Sequence, residues 1–172
     1  MTNVTTEKRD VATTAVRSVR PCLTFKDQAE EAINHYVSIF PNSRIVSITR
    51  SDGKGPIPEG KVMHATFELF GAQYTAFDGG DHFQPSDAFS IEVSCDTQEE
   101  LDRVWDGLRD GGEEVACGWV TDRFGFSWQV VPTQFGEMLE HPERGNVQRM
   151  VEAMLKMKKL DLEELQRAYA SS

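Results

Sequence analysis

Apolar and polar positions along this chain follow two rhythms, and the two occur in a repeated order. Arg20 to Phe25 predicts a short strand. A helical stripe of Ala32, Ile33, Tyr36, Val37 and Phe40 follows, with Asp27 and Glu30 as N-cap and reciprocal acid and Pro41 beyond the end. Arg44 to Arg50 predicts a second strand. Ser51 to Gly60 carries three Gly and two Pro and predicts a loop. Lys61 to Phe70 alternates, with Met63, Ala65, Phe67 and Leu69 on one face and Val62, His64, Thr66 and Glu68 on the other. A three-residue turn at Gly71-Ala72-Gln73 would return the chain into Tyr74 to Asp78. That register sets Thr66 opposite Asp78, with His64 and Glu68 nearby on one face.

The order then recurs. Ala88 to Cys95 predicts a strand, Asp96 with Glu99 a cap and its acid, and Leu101, Val104, Trp105 and Leu108 a second apolar helical stripe ending at Gly111-Gly112. Asp27-Gln28-Ala29-Glu30-Glu31 and Asp96-Thr97-Gln98-Glu99-Glu100 match, and Tyr36 and Trp105 share a register. Asp122 to Gly125 has turn chemistry. In the strand after it, Trp128 and Val130 point one way, while Ser127, Gln129 and Val131 point the other. The expected fold is therefore α+β: two βαβββ modules forming a curved mixed sheet with a central cleft, each helix covering the outer face. The expected division is a loose tail over 1–18, a module pair over 19–132 (repeats 19–80 and 86–132) and a helical extension over 133–172. That extension holds Phe135 to Glu140, a stripe of Val147, Met150, Val151, Met154 and Leu155, and a last helix capped by Asp161 and Glu164.

Composition narrows the function. The 172 residues are 39% hydrophobic and 27% charged, ordinary for a globular protein. A formal charge of −10 disfavours nucleic acid or an anionic membrane as partner, and no apolar run is long enough for a membrane span. Cys22, Cys95 and Cys117 are odd in number and lack metal-type spacing, so they read as reduced thiols of a cytoplasmic protein.

Several pieces, in this order and spacing, resemble one family. They are Ala29-Glu30-Glu31-Ala32 before Tyr36, Gly60-Lys61-Val62-Met63-His64-Ala65, Phe77-Asp78-Gly79-Gly80, Cys117-Gly118-Trp119, Asp122 to Pro132, and Met154 to Asp161. Over about Pro21 to Leu165 the chain resembles the PhnB-like branch of the vicinal-oxygen-chelate superfamily, a branch often labelled 3-demethylubiquinone-9 3-methyltransferase-like. Metal-using members of that superfamily carry His and Glu at four cleft positions. Carried over, those positions here are Arg20 or Cys22, Asp78, Ser90 or Glu92, and Gln129, a poor ligand set.

The residues expected to line the cleft are His64, Glu68, Asp78, His82, Ser90, Glu92, Trp119 and Gln129. Trp119 is either a core residue or a stacking wall, and Glu92 needs a partner such as Arg20. His64, Glu68 and Asp78 form either an acid–base cluster, a weak metal site, or a hydrogen-bonded part of the sheet. The resulting expectation is a protein that binds a small polar metabolite, with no cofactor. The alternative is a lyase, isomerase or dioxygenase holding a divalent metal through His64 with Asp78 or Glu68. The methyltransferase label finds no Gly-rich strand-to-helix turn to support it. A homodimer is expected, joined through the C-terminal helices, with their Met150, Met154 and Met157, or through sheet edges.

Overall fold

In the computed structural model, which describes residues 17–171, the two repeated stretches fold as two four-stranded sheets. The expected loose tail over 1–18 lies outside the described residues except for its last two positions. The first module runs β1 (Cys22–Phe25), α1 (Ala29–Ile39), β2 (Arg44–Arg50), β3 (Val62–Leu69) and β4 (Ala72–Asp78), in sheet order β1-β4-β3-β2. The second runs β5 (Ser90–Cys95), α2 (Gln98–Arg109), β6 (Glu113–Glu114), β7 (Trp119–Thr121) and β8 (Ser127–Pro132), in order β5-β8-β7-β6. In both sheets the first strand is parallel to the last and the other pairs are antiparallel, so the α+β duplication is present. Three helices follow: α3 (Thr133–Glu140), α4 (Val147–Met154) and α5 (Leu162–Ala170).

The helix-facing side of the first sheet carries Leu23, Phe25, Phe67 and Ala76, packed on Ile33 and Tyr36 of α1. The second sheet presents Ile91, Val120, Trp128 and Val130 to Leu101, Val104, Trp105 and Leu108 of α2. The Tyr36 and Phe40 rings also lie 5.1 and 5.6 Å from Trp128, so both helices are held between the two sheets. At their crossing Arg103 donates to the Ile39 carbonyl at 2.6 Å. Gly107 permits this approach, since a Cβ there would lie 2.9 Å from Ile39 Cγ1.

The β3–β4 hairpin departs from expectation. Leu69 pairs with Ala72, leaving a two-residue turn in which Phe70 (φ 47°) and Gly71 (φ 85°) are both left-handed, the pattern of a type I′ turn. Thr66 therefore pairs with Thr75, and Asp78 moves to the helix side. There it replaces the expected local cap. Gln28 occupies the N-cap position without a side-chain bond, and Asp78 Oδ1 accepts from the Ala29 amide at 2.8 Å instead. Its other oxygen accepts from the Val62 amide at 2.8 Å, which draws Val62 inward and leaves Met63 exposed, against the predicted alternation. In α2 the cap is Thr97, one residue after the expected Asp96, accepting from the Glu100 amide at 3.2 Å.

The C-terminal helices fold onto their own chain. Met150, Leu160 and Leu165 are buried, and the Cys117 and Gly118 amides donate to the carbonyls of Met157 and Lys158. Gln98 of α2 bonds the Leu160 carbonyl and the Leu162 amide. The Met-containing stripe is thus largely spent within the chain, which removes the main reason for expecting a subunit contact there.

Candidate functional site

Each sheet has a face without a helix, and these two faces point away from one another. On the first, His64 shares a side with Thr66 and Thr75 and is exposed. Glu68, on the same side, accepts from Arg44 Nε at 2.7 Å and from Gln73 Nε2 at 3.1 Å. The Arg44 hydrogen bond holds its carboxyl below the usual carboxylate range. Asp78 does not join them. It is buried on the opposite face, committed to two backbone amides, so the cluster of His64, Glu68 and Asp78 expected from sequence is not assembled. His82 stands in an exposed 3₁₀ turn (Gly80–His82) that follows β4.

The helix-free face of the second sheet carries the other polar set. Gln129 donates to Ser90 Oγ at 2.7 Å, and Glu92 pairs with Gln129 across the parallel β5–β8 register. Glu92 is exposed and has no ion-pair partner among the described residues; its expected partner Arg20 donates instead to Ser18 Oγ and Gln73 Oε1. Trp119 lies opposite Gln129 on the other side. It borders a hollow of ≈ 340 Å³ with Asp87, Cys117, Thr121 and Ser127. Ser127, itself buried, donates to Asp87 Oδ1 at 2.9 Å across that hollow. Sequence reasoning missed these four residues. The alternation that places Gln129 also places Ser127 and, from Trp119, Thr121. Asp87 sits in an irregular loop and left no signal.

The eight expected cleft residues are therefore dispersed. His64 and Glu68 lie on one outer face, and Ser90, Glu92, Trp119 and Gln129 on the other, with Asp78 in the core and His82 in a loop. A divalent metal does not fit these donors. No group of three His, Cys, Asp or Glu side chains among the described residues could hold one, and the second face offers only Glu92 and the serine-bonded Asp87 as carboxylates, beside a serine and a carboxamide.

Between the modules lies a polar hub that the sequence singled out only as a turn. Asp122 is buried and its Oδ1 accepts from the amides of Phe124 (2.9 Å) and Phe126 (3.0 Å). Its Oδ2 accepts from Tyr36 of the first module and from Trp128 Nε1, both at 2.7 Å. Burial raises the Tyr36 hydroxyl well above its ordinary value, so it stays a donor. His35 contacts Arg123 Nη2 at 2.8 Å on the rim of this hub, and burial followed by the Arg123 charge lowers its pKa.

Residues 17–131 match the family described as 3-demethylubiquinone-9 3-methyltransferase. Among solved structures, the PhnB protein from Bacillus cereus is 37% identical with a TM-score of 0.64, covering 68% of this chain and 100% of its own. A protein from Pseudomonas aeruginosa is 24% identical with a TM-score of 0.57, covering 67% of this chain and 98% of its own. The fosfomycin resistance protein FosX from Listeria monocytogenes, solved with Mn(II) and sulfate, is 14% identical with a TM-score of 0.50. That match covers 74% of this chain and 99% of FosX, and shares the fold alone. No curated protein matches the sequence.

Proposed function

The chain belongs to the 3-demethylubiquinone-9 3-methyltransferase family, the PhnB-like branch of the vicinal-oxygen-chelate superfamily, and from that premise we propose that it binds a small polar metabolite without a tightly bound metal. The observation that carries this reading is the hollow on the second sheet. An aromatic wall, Trp119, stands there beside the Ser127–Asp87 pair, and the Ser90–Gln129 pair lies next to it on the same face. Such a combination orients a ligand by a few polar groups against an apolar surface.

One chain turns its two polar faces apart, so a cleft between a first and a second module needs two copies. A homodimer that sets the His64 face of one copy against the Gln129 face of the other supplies it. The edge strands β1 and β5 support this, because each leaves one row of backbone groups without a strand partner. Three free thiols and no described helix able to cross a membrane are compatible with the cytoplasm, where we place the protein. The division into a module pair over 19–132 and an extension over 133–172 is part of the same reading.

The family label's methyl transfer draws no support from the connections that precede α1 and α2, Lys26 to Gln28 and Asp96 to Thr97, which contain no glycine. The metal-dependent alternative is disfavoured by Asp78, which faces the core. A thermal-shift screen of polar metabolites tests the proposal. Some compound should raise the melting temperature of the wild-type chain and fail to do so for Trp119→Ala or Gln129→Ala. Light scattering should give twice 19.4 kDa. No stabilising compound at millimolar concentration, or stoichiometric metal after gentle purification, overturns the reading.

A further inference from the structure

We propose that a cavity of ≈ 420 Å³ at the seam between the modules is a second small-molecule site, taking a ligand with an apolar or aromatic body and a protonated amine at one end. It lies on the helix side of both sheets, away from the hollow beside Trp119, and does not depend on the function proposed for that hollow. Its walls are Phe40, Leu69 and Tyr74 from the first module and Ile91, Val104 and Trp128 from the second, all buried. The size falls within the ~300–1,000 Å³ range of ligand sites.

The walls are held before any ligand arrives. Trp128 is fixed through Nε1 to Asp122, Phe40 stacks on it at 25°, and Tyr74 stacks on Phe67 at 23°. A pre-formed aromatic wall costs little ordering on binding. The rim sets the sign of the ligand's charge. Asp96 and Glu100 border the cavity against a single cation, Arg103, whose guanidinium already donates to the Ile39 carbonyl. The Cys95 thiol is also in the lining. Burial pushes it up to about 11, with Glu100 as the next cause. An ammonium over aromatic walls is favoured in such a place, and a carboxylate is not.

The test compares phenethylammonium with 3-phenylpropionate, two probes of like shape and opposite charge, by calorimetry and by methyl shifts in the full-length chain. Phenethylammonium should bind and shift Ile91 and Val104, and 3-phenylpropionate should bind at least about tenfold more weakly. Glu100→Gln should weaken the ammonium about fivefold while leaving the melting temperature near wild type. Val93→Trp, which narrows the cavity, should abolish binding of both probes. Equal or tighter binding of the carboxylate overturns the proposal. So does an unchanged affinity in Glu100→Gln, or methyl shifts confined to Val115 and Thr121 beside Trp119. Protection of Ile91 and Val104 that appears only on dimerisation would make a second copy the occupant and would also overturn it.

Discussion

Replacing Asp122 by alanine should be among the most damaging single changes available to this protein. The substitution removes one carboxylate and leaves four donors behind: the amides of Phe124 and Phe126, the Tyr36 hydroxyl and the Trp128 indole. The two amides belong to a half-buried turn, which water can reach. Tyr36 and Trp128 are 0% exposed, so their donors lose their partner with no replacement. At about 1–3 kcal/mol for each buried donor left unsatisfied, Asp122→Ala should cost about 3–5 kcal/mol. For a chain of this size that lowers the melting temperature by about 6–20 °C. Tyr36→Phe removes donor and bond together and leaves the carboxylate three other partners, so about 1–2 kcal/mol is expected. The double variant should then cost less than the sum, because the Tyr36 penalty is already inside the Asp122 value. Urea denaturation of the four proteins, followed by Trp fluorescence and by far-UV circular dichroism, measures all of this. A loss below about 1 kcal/mol for Asp122→Ala would refute the reasoning, as would strict additivity with Tyr36→Phe.

Three further outcomes are expected. Gly107→Ala would stabilise an ordinary helix by about 1 kcal/mol, but the new Cβ meets Ile39 Cγ1 at 2.9 Å; the melting temperature should fall, and the double variant with Ile39→Ala, which removes the atoms the Cβ meets, should cost less than the sum of the two single changes. His35 has a folded pKa below its ordinary 6.5, so the unfolded chain binds the extra proton first. Its contribution is fully present above pH ~6.5 and is lost as pH falls through the window below that value, so the melting temperature should drop less between pH 7.5 and 5.5 in His35→Gln than in wild type. Truncation after Glu140 removes Met150, Leu160 and Leu165 from the core and the partners of the Cys117 and Gly118 amides, and should give a chain without a cooperative unfolding transition by calorimetry.

Much of the architecture was legible in the sequence because periodicity is set by burial. The stripes of both helices and the Trp128–Val130 face follow a rhythm that packing enforces, and the two matching acidic segments mark the duplication. The candidate site was less legible, and the hairpin shows why. The text Phe70-Gly71-Ala72-Gln73 admits a two- or a three-residue turn, and a bulky aromatic at a left-handed position argues against the shorter one. The structure adopts it nonetheless, with Phe70 71% exposed. A register shift of three residues, an odd number, then carried Asp78 from the outer face to the core. The Asp122 hub joins residues 86 apart in sequence, a separation at which local pattern carries no information.

The remote cap on α1 has a consequence for the order of assembly. Its twin, α2, carries Thr97 at its own start and can complete its first turn from adjacent residues. The first helix depends on a carboxylate 49 positions downstream, at the end of the last strand of its module. Its leading amide finds that partner only once β4 has docked, after the closure of a long loop. The two halves of the duplication should therefore not form symmetrically in time. In pulse-labelled hydrogen exchange during refolding, the amides of Leu101 to Leu108 should gain protection early, and those of Ala32 to Ile39 only with Tyr74 to Asp78.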